Sequence, residues 1–209
     1  MELIWHGHSC FTVKTGDGTV VLDPYRDGSV PGLVPIRLNA DRVLCSHLHA
    51  DHSATECVSL SGRQDTLKVL RLSSYHDSEQ GARRGENIIH VIVSEGMRAV
   101  HLGDLGCDLT QEQMETLKGA DVLMLPVGGF FTIDAERAKK IESLIQPRIT
   151  VPMHYRSEWF GHPEIGPVED YLVRCSNVVR YQSNRLEIGE KTAPQTAVLA
   201  CPGEKELRM

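Results

Sequence analysis

Apolar positions in the first half of the chain fall into short runs with strand character. Ile4 to Val13 reads as one extended segment, Gly16-Asp17-Gly18 is a turn signal, and Thr19-Val20-Val21-Leu22 is a β-branched run, so a hairpin is expected to open the chain. It ends at Asp23-Pro24, after which Gly28, Pro31, Gly32 and Pro35 mark a long irregular loop. Arg42-Val43-Leu44-Cys45 predicts a short buried strand running straight into His47, with a helix expected from Ser53-Ala54-Thr55-Glu56. Leu67 to Leu72 predicts a further strand that leads through Ser73-Ser74-Tyr75 to His76. Ile88 to Val93 and Arg98 to Leu102, joined by Ser94-Glu95-Gly96, predict a second hairpin whose exit carries Gly103-Asp104.

In the second half the period changes. Thr110-x-x-Gln113 is a capping box for a helix ending near Gly119, and Val122 to Val127 is a strand. Ala135, Ala138, Ile141, Leu144 and Ile145 then recur at helical spacing, with Pro147 after them. Ile149-Thr150-Val151 passes through Pro152-Met153 to His154. Hairpins followed by alternating strands and helices predict α/β layering. No internal repeat or low-complexity stretch interrupts this order, and the polar end from Gly203 onward is expected to fray.

Composition narrows the class. With 209 residues, 41% of them hydrophobic, one globular domain spanning residues 1–209 is expected. A net charge of −6 disfavours extended nucleic-acid or anionic-membrane binding. Neither a basic leader nor a long apolar run opens the chain, and no window approaches a membrane span, so a soluble cytoplasmic protein is expected. The six cysteines include no Cys-x-x-Cys pair and imply no disulfide framework. Cys107, three residues after Asp104, either packs or serves as a metal ligand.

Candidate chemistry is concentrated in Ser46-His47-Leu48-His49-Ala50-Asp51-His52. Alternate residues of an extended segment share a face, so His47 and His49 can reach one cation. Asp51 and His52 follow where the chain turns and can aim at a second. Imidazole mixed with carboxylate suits zinc first, with manganese or iron as alternatives and calcium or magnesium disfavoured. Strands ending at His47, His76, Asp104 and His154 would bring these distant residues to one edge of a sheet.

This arrangement resembles the metallo-β-lactamase fold superfamily. The His-x-His-x-Asp-His signature is met by His47, His49, Asp51 and His52, and the later His, Asp and His by His76, Asp104 and His154. Gly7-His8-Ser9, Asp23-Pro24, His101-Leu102-Gly103-Asp104 and Pro152-Met153-His154-Tyr155 are similar to a compact group of zinc-dependent hydrolases related to ascorbate-6-phosphate lactonases. The resemblance implies a four-layer αββα sandwich. It also implies one metal on His47, His49 and His76, a second on Asp51, His52 and His154, and Asp104 bridging both. True β-lactamases use Cys on the second metal, so antibiotic hydrolysis is disfavoured, and the short chain leaves no room for a flavodoxin domain.

Two cations would lower the pKa of a shared water and polarise a carbonyl or phosphoryl oxygen, and Asp51 would orient the resulting hydroxide and later accept its proton. The resemblance also implies Asp23 beside the cradle and places His8 in a subgroup pattern, where it either supports the ligands or is a hydrogen-bonded structural residue; Asp77 either orients His76 or points away. Arg83, Arg84 and Arg156 are either anion-binding groups or solvated charges. Gly128 to Thr132 reads as a rim of the site or a plain tight turn. His6, His8, His90, His101 and His162 are not needed as ligands, and His101 is expected to face away from Asp104. The expected activity is dinuclear hydrolysis of a small, anionic ester, lactone or phosphodiester, and the alternatives are a non-catalytic metal-binding module or a nuclease of the same fold. The oligomeric state is left open.

Overall fold

The computed structural model describes residues 1–203; apart from Gly203, the polar end expected to fray lies outside the described residues. Three strands, β1 (Glu2–Gly7), β2 (Cys10–Thr15) and β3 (Gly18–Leu22), open the chain as an antiparallel meander. The segment expected to run unbroken from Ile4 to Val13 is therefore two strands. Gly7 at φ +106° and His8 at φ +50° reverse the chain, and the β1–β2 register shifts between Trp5 and Gly7. Alternation then sorts the side chains: Trp5, Phe11, Val13, Val20 and Leu22 enter the main core, while Cys10 and Val21 enter a smaller one on the other face.

The strands β4 (Leu38–Ala40), β5 (Arg42–Leu44) and β6 (Val58–Leu60) come next, with β5 parallel to β3 and β4 paired to β6. The helix expected from Ser53 is a single 3-10 turn, Thr55–Cys57, without a side-chain cap. Its apolar spacing lasts one turn, and Val58 returns the chain to extended structure.

An antiparallel set follows, β7 (Lys68–Tyr75), β8 (Glu86–Ser94) and β9 (Met97–His101). The helices α1 (Gln111–Leu117) and α2 (Ala135–Ile145) then carry the chain to the parallel strands β10 (Val122–Pro126) and β11 (Ile149–Met153). Thr110 and Gln113 form the expected capping box on α1, and Asp134 accepts from the Arg137 amide at the start of α2. Beyond His154 lie α3 (Glu169–Leu172), β12 (Val178–Arg180), β13 (Arg185–Glu187) and β14 (Gln195–Val198), elements for which the sequence carried no expectation. They complete two sheets in the order β13-β1-β2-β3-β5 and β12-β14-β11-β10-β9-β8-β7.

One apolar core draws Trp5 and Phe11 from the first sheet, Val91, Val100 and Leu123 from the second, and Leu117, Ala138 and Ile141 from the helices. The two sheets therefore pack face to face as the sandwich expected, with α1 and α2 on the second sheet. The outer side of the first sheet is covered by the loop bearing Tyr25, Val30 and Ile36 and by the 3-10 turn and β6, rather than by a long helix. Each large side chain buried in this way contributes about 1.5–3 kcal/mol. Among the described residues no helix is long and apolar enough to cross a membrane.

Candidate metal centre

Strand ends build the centre. The chain leaves β5 at Leu44 towards His47, β7 at Tyr75 towards His76, β9 at His101 towards Asp104, and β11 at Met153 towards His154. Asp104 lies at the middle. Its Oδ2 is 3.2 Å from Nε2 of His52, of His76 and of His154, and 3.9 Å from Nε2 of His47. Burial opposes ionisation of Asp104, but His154 and His52 outweigh it and hold the carboxyl well below the usual range.

Donor atoms fall into sets that lie within 4.8 Å of one another: His47, His49 and His76; His8, His52 and His154; and His8, Asp51 and His162. All seven residues of the expected ligand set are thus at one place. Beside the expected second set, His8 stands with His52 and His154, and Asp51 turns its Oδ2 to His8 at 3.3 Å, His52 at 3.7 Å and His162 at 3.8 Å.

A cation fits this chemistry. Nε2 of His47 and His52, both ring nitrogens of His8, Nδ1 of His154 and Oδ1 of Asp104 are buried without a well-formed hydrogen bond among the described residues. An unsatisfied buried polar atom costs about 1–3 kcal/mol, and a cation at the centre would meet one nitrogen of each ring that faces it. Burial and neighbouring histidines lower His47 and His8 to about 3, keeping them in the neutral form that donates a lone pair. Burial also opposes charge on His52, yet Asp104 and Asp23 flank it and push its pKa well above the usual value when no cation is bound.

The ligands are held from behind. Asp23, wholly buried, accepts from the Ser46 amide at 2.7 Å and the Ser46 hydroxyl at 2.6 Å, and its Oδ2 lies 2.8 Å from His52 Nδ1. Ser46 Oγ is also 2.9 Å from His47 Nδ1. His76 Nδ1 is 3.1 Å from the Phe131 carbonyl, which gives the Gly128–Thr132 loop a direct hold on a ligand. Asn87 accepts from the Asp104 amide at 2.9 Å and donates to Ser74 and to the Leu102 carbonyl. Gly103, at φ +57°, lets this happen, since a Cβ there would stand 2.3 Å from Asn87 Oδ1. His8, Asp23 and His154 all have positive φ, a cluster of strain of the kind that collects at functional sites.

Several expectations need correction. Asp77 does not orient the His76 ring; its carboxylate accepts from the amides of Glu79, Gly81, Arg83 and Arg84 and so shapes the following loop. Arg83 is exposed and paired with Glu79 at 2.6 Å. Arg156 donates through Nε to the Ile165 carbonyl and lines a cavity of ≈ 660 Å³ with Trp159, Phe160 and Tyr181, a lining that includes none of the site histidines. Arg84 does lie at the centre's edge, 5.5 Å over the Phe131 ring, which in turn stands 5.8 Å from His162. His162, set aside in the sequence, reaches Asp51, and no period or spacing pointed to it. Ser46, Asn87 and the Phe131 carbonyl were missed as well, because ordinary polar residues and backbone atoms carry no motif. Cys107 belongs to none of the donor sets, and burial keeps its thiol protonated. His101 is fully buried against the Ser9 carbonyl and the Gly103 amide, a structural place.

The sequence profile of the beta-lactamase superfamily domain matches residues 2–154. A UPF0173 metal-dependent hydrolase from Thermoplasma acidophilum is 26% identical over 189 residues, covering 75% of this chain and 84% of the relative. A Thermotoga maritima protein, described as a Zn-dependent hydrolase of the metallo-beta-lactamase superfamily, superposes with a TM-score of 0.75 at 30% identity over 95% of this chain and 97% of that one. A metallo hydrolase from Ignicoccus hospitalis shares the fold, with a TM-score of 0.63 at 20% identity over 97% and 96% of the two chains.

Proposed function

The chain belongs to the beta-lactamase superfamily, and on that footing we propose that it is a metal-dependent hydrolase whose paired cations act on a small, anionic ester, lactone or phosphodiester. The observation that carries the reading is the set of four imidazole nitrogens around the single buried oxygen of Asp104. His47, His49 and His76 would hold one cation, Asp51, His52 and His154 the other, with Asp104 between them. Imidazole-rich donors favour zinc, and manganese or iron are the next fit. Such ions, when bound, supply Lewis acidity and a nucleophile at neutral pH.

The chain's own groups do the rest. Asp51 is partly exposed and held ionised, because His8 and His52 outweigh the cost of burying it. It is the acceptor for the proton released as water adds to the substrate, and His162, 3.8 Å away and partly open to solvent, can carry that proton off. Arg84, stacked on Phe131, presents a cation at the rim. Phe130 beside it is 62% exposed at φ +58°, an apolar surface for the remainder of a small molecule.

The test is a metal-free preparation reloaded with zinc, manganese or iron and assayed on paired neutral and anionic lactones, thioesters and phosphodiesters. Activity should return with metal on an anionic class, and Arg84→Ala should lower kcat/KM there by one to two orders of magnitude, roughly 1.4–2.7 kcal/mol. Failure to retain metal would end the hydrolase reading, and preference for neutral esters would end the anionic one.

A further inference from the structure

Resting on the dinuclear reading above, we propose that His8 is itself a metal ligand, joining His52 and His154 on the second cation. It lies outside the His47–His52 signature and comes from the turn between β1 and β2. One donor atom from each of His8, His52 and His154 falls within 4.8 Å of the other two, and the His8 ring is centred 4.1 Å from that of His154 and 5.1 Å from that of His52.

His8 is 1% exposed, and neither ring nitrogen makes a well-formed hydrogen bond. A neutral imidazole has one donor and one acceptor, and leaving both unmet in a dry site is costly. Asp51, 3.3 Å from Nε2, meets at most one of them. A cation shared with the neighbouring imidazoles uses the remaining lone pair and explains why three rings converge there. The backbone is built to hold this aim. The His8 carbonyl accepts from Trp5 Nε1 at 2.9 Å and from the His154 amide at 3.3 Å, so the two ligand-bearing turns are fastened to each other. Both residues occupy the left-handed region, at φ +50° and +52°, which is uncommon for a residue other than glycine. Three imidazoles make this cage richer in nitrogen than the signature alone, which favours zinc or cobalt over magnesium or calcium.

His8→Asn and His8→Gly both suit a left-handed turn and remove the ring. In zinc titrations against a competing chelator, each should raise the dissociation constant of the second zinc at least tenfold and leave the first unchanged. Wild-type affinity at both sites would overturn the proposal. A measurement on the unaltered protein stands beside it: with labelled histidine nitrogens and an NMR-active cadmium isotope, metal coupling should reach six rings, those of His47, His49, His52, His76 and His154 together with His8. Coupling confined to the first five would overturn the role of His8 and leave the dinuclear reading standing. No coupling at any ring would remove the dinuclear reading itself.

Discussion

Replacing Asp23 by asparagine should cost this protein metal before it costs the fold. The carboxylate only accepts, so His52 must carry its proton on Nδ1, 2.8 Å away, and keep the Nε2 lone pair facing the centre. The side-chain carbonyl of the introduced asparagine can still accept from the Ser46 amide now bonded at 2.7 Å, but its NH2 then faces Nδ1. His52 must respond by moving its proton to Nε2, the atom that would bind the cation. Loss of a supporting carboxylate of this kind typically weakens metal binding 10–100-fold, about 1.4–2.7 kcal/mol. Asp23→Ala is harsher, because the Ser46 amide, the Ser46 hydroxyl and His52 Nδ1 all lose their acceptor in a fully buried place. At about 1–3 kcal/mol for each of the three stranded donors, a loss on the order of 3–9 kcal/mol follows, a large share of a typical domain's roughly 5–15 kcal/mol. Chelator-competition titrations and thermal unfolding of the metal-free proteins separate the two effects. Wild-type zinc affinity in Asp23→Asn, or equal destabilisation by the two substitutions, would refute the tautomer argument.

Three other outcomes are expected. Asp104→Ala should abolish binding of at least one metal ion, whereas Cys107→Ala should leave the metal content of purified protein unchanged; equal losses by elemental analysis would make Cys107 a ligand. Burial lowers His90 from 6.5 to about 4, so folding binds fewer protons there than the unfolded chain does, and the stability it contributes is full above pH 6.5 and falls as pH drops towards 4. In chelator-treated protein, His90→Gln should therefore narrow its stability gap to wild type by about 3 kcal/mol between pH 7 and pH 4, measured by urea unfolding, and a pH-independent gap would contradict this. Asp77→Ala should speed hydrogen exchange at the amides of Glu79, Gly81, Arg83 and Arg84 and leave metal content intact; metal loss without faster exchange would restore Asp77 as a support for His76.

Strand periodicity and residue chemistry are local, and they made much of this centre legible. The runs before His47, His76, Asp104 and His154 are apolar enough to be strands, and a strand that ends in a metal-binding side chain at a sheet edge announces itself in sequence. The capping box at Thr110 and the spacing of Ala135 to Ile145 were legible for the same reason. Where local signals competed, the prediction failed: Gly7-His8 turns the chain inside an apolar stretch, and Ser53 to Glu56 looks like a helix start although the apolar period ends after one turn.

What only the tertiary structure decided is which groups meet from separate segments. Asp77 and Arg156 adjoin ligands in sequence yet serve a loop and a separate cavity, because neighbours on an extended or turning chain point different ways. His8 and His162 are far from the signature in sequence, yet the packing of the two sheets and the path of the loop after β11 bring both to Asp51. The sequence by itself determined the family, the strand ends and the chemical type of the donors. Which imidazoles share a cation, and which polar residues support them, depends on distances of a few ångströms between elements, and no local period encodes those.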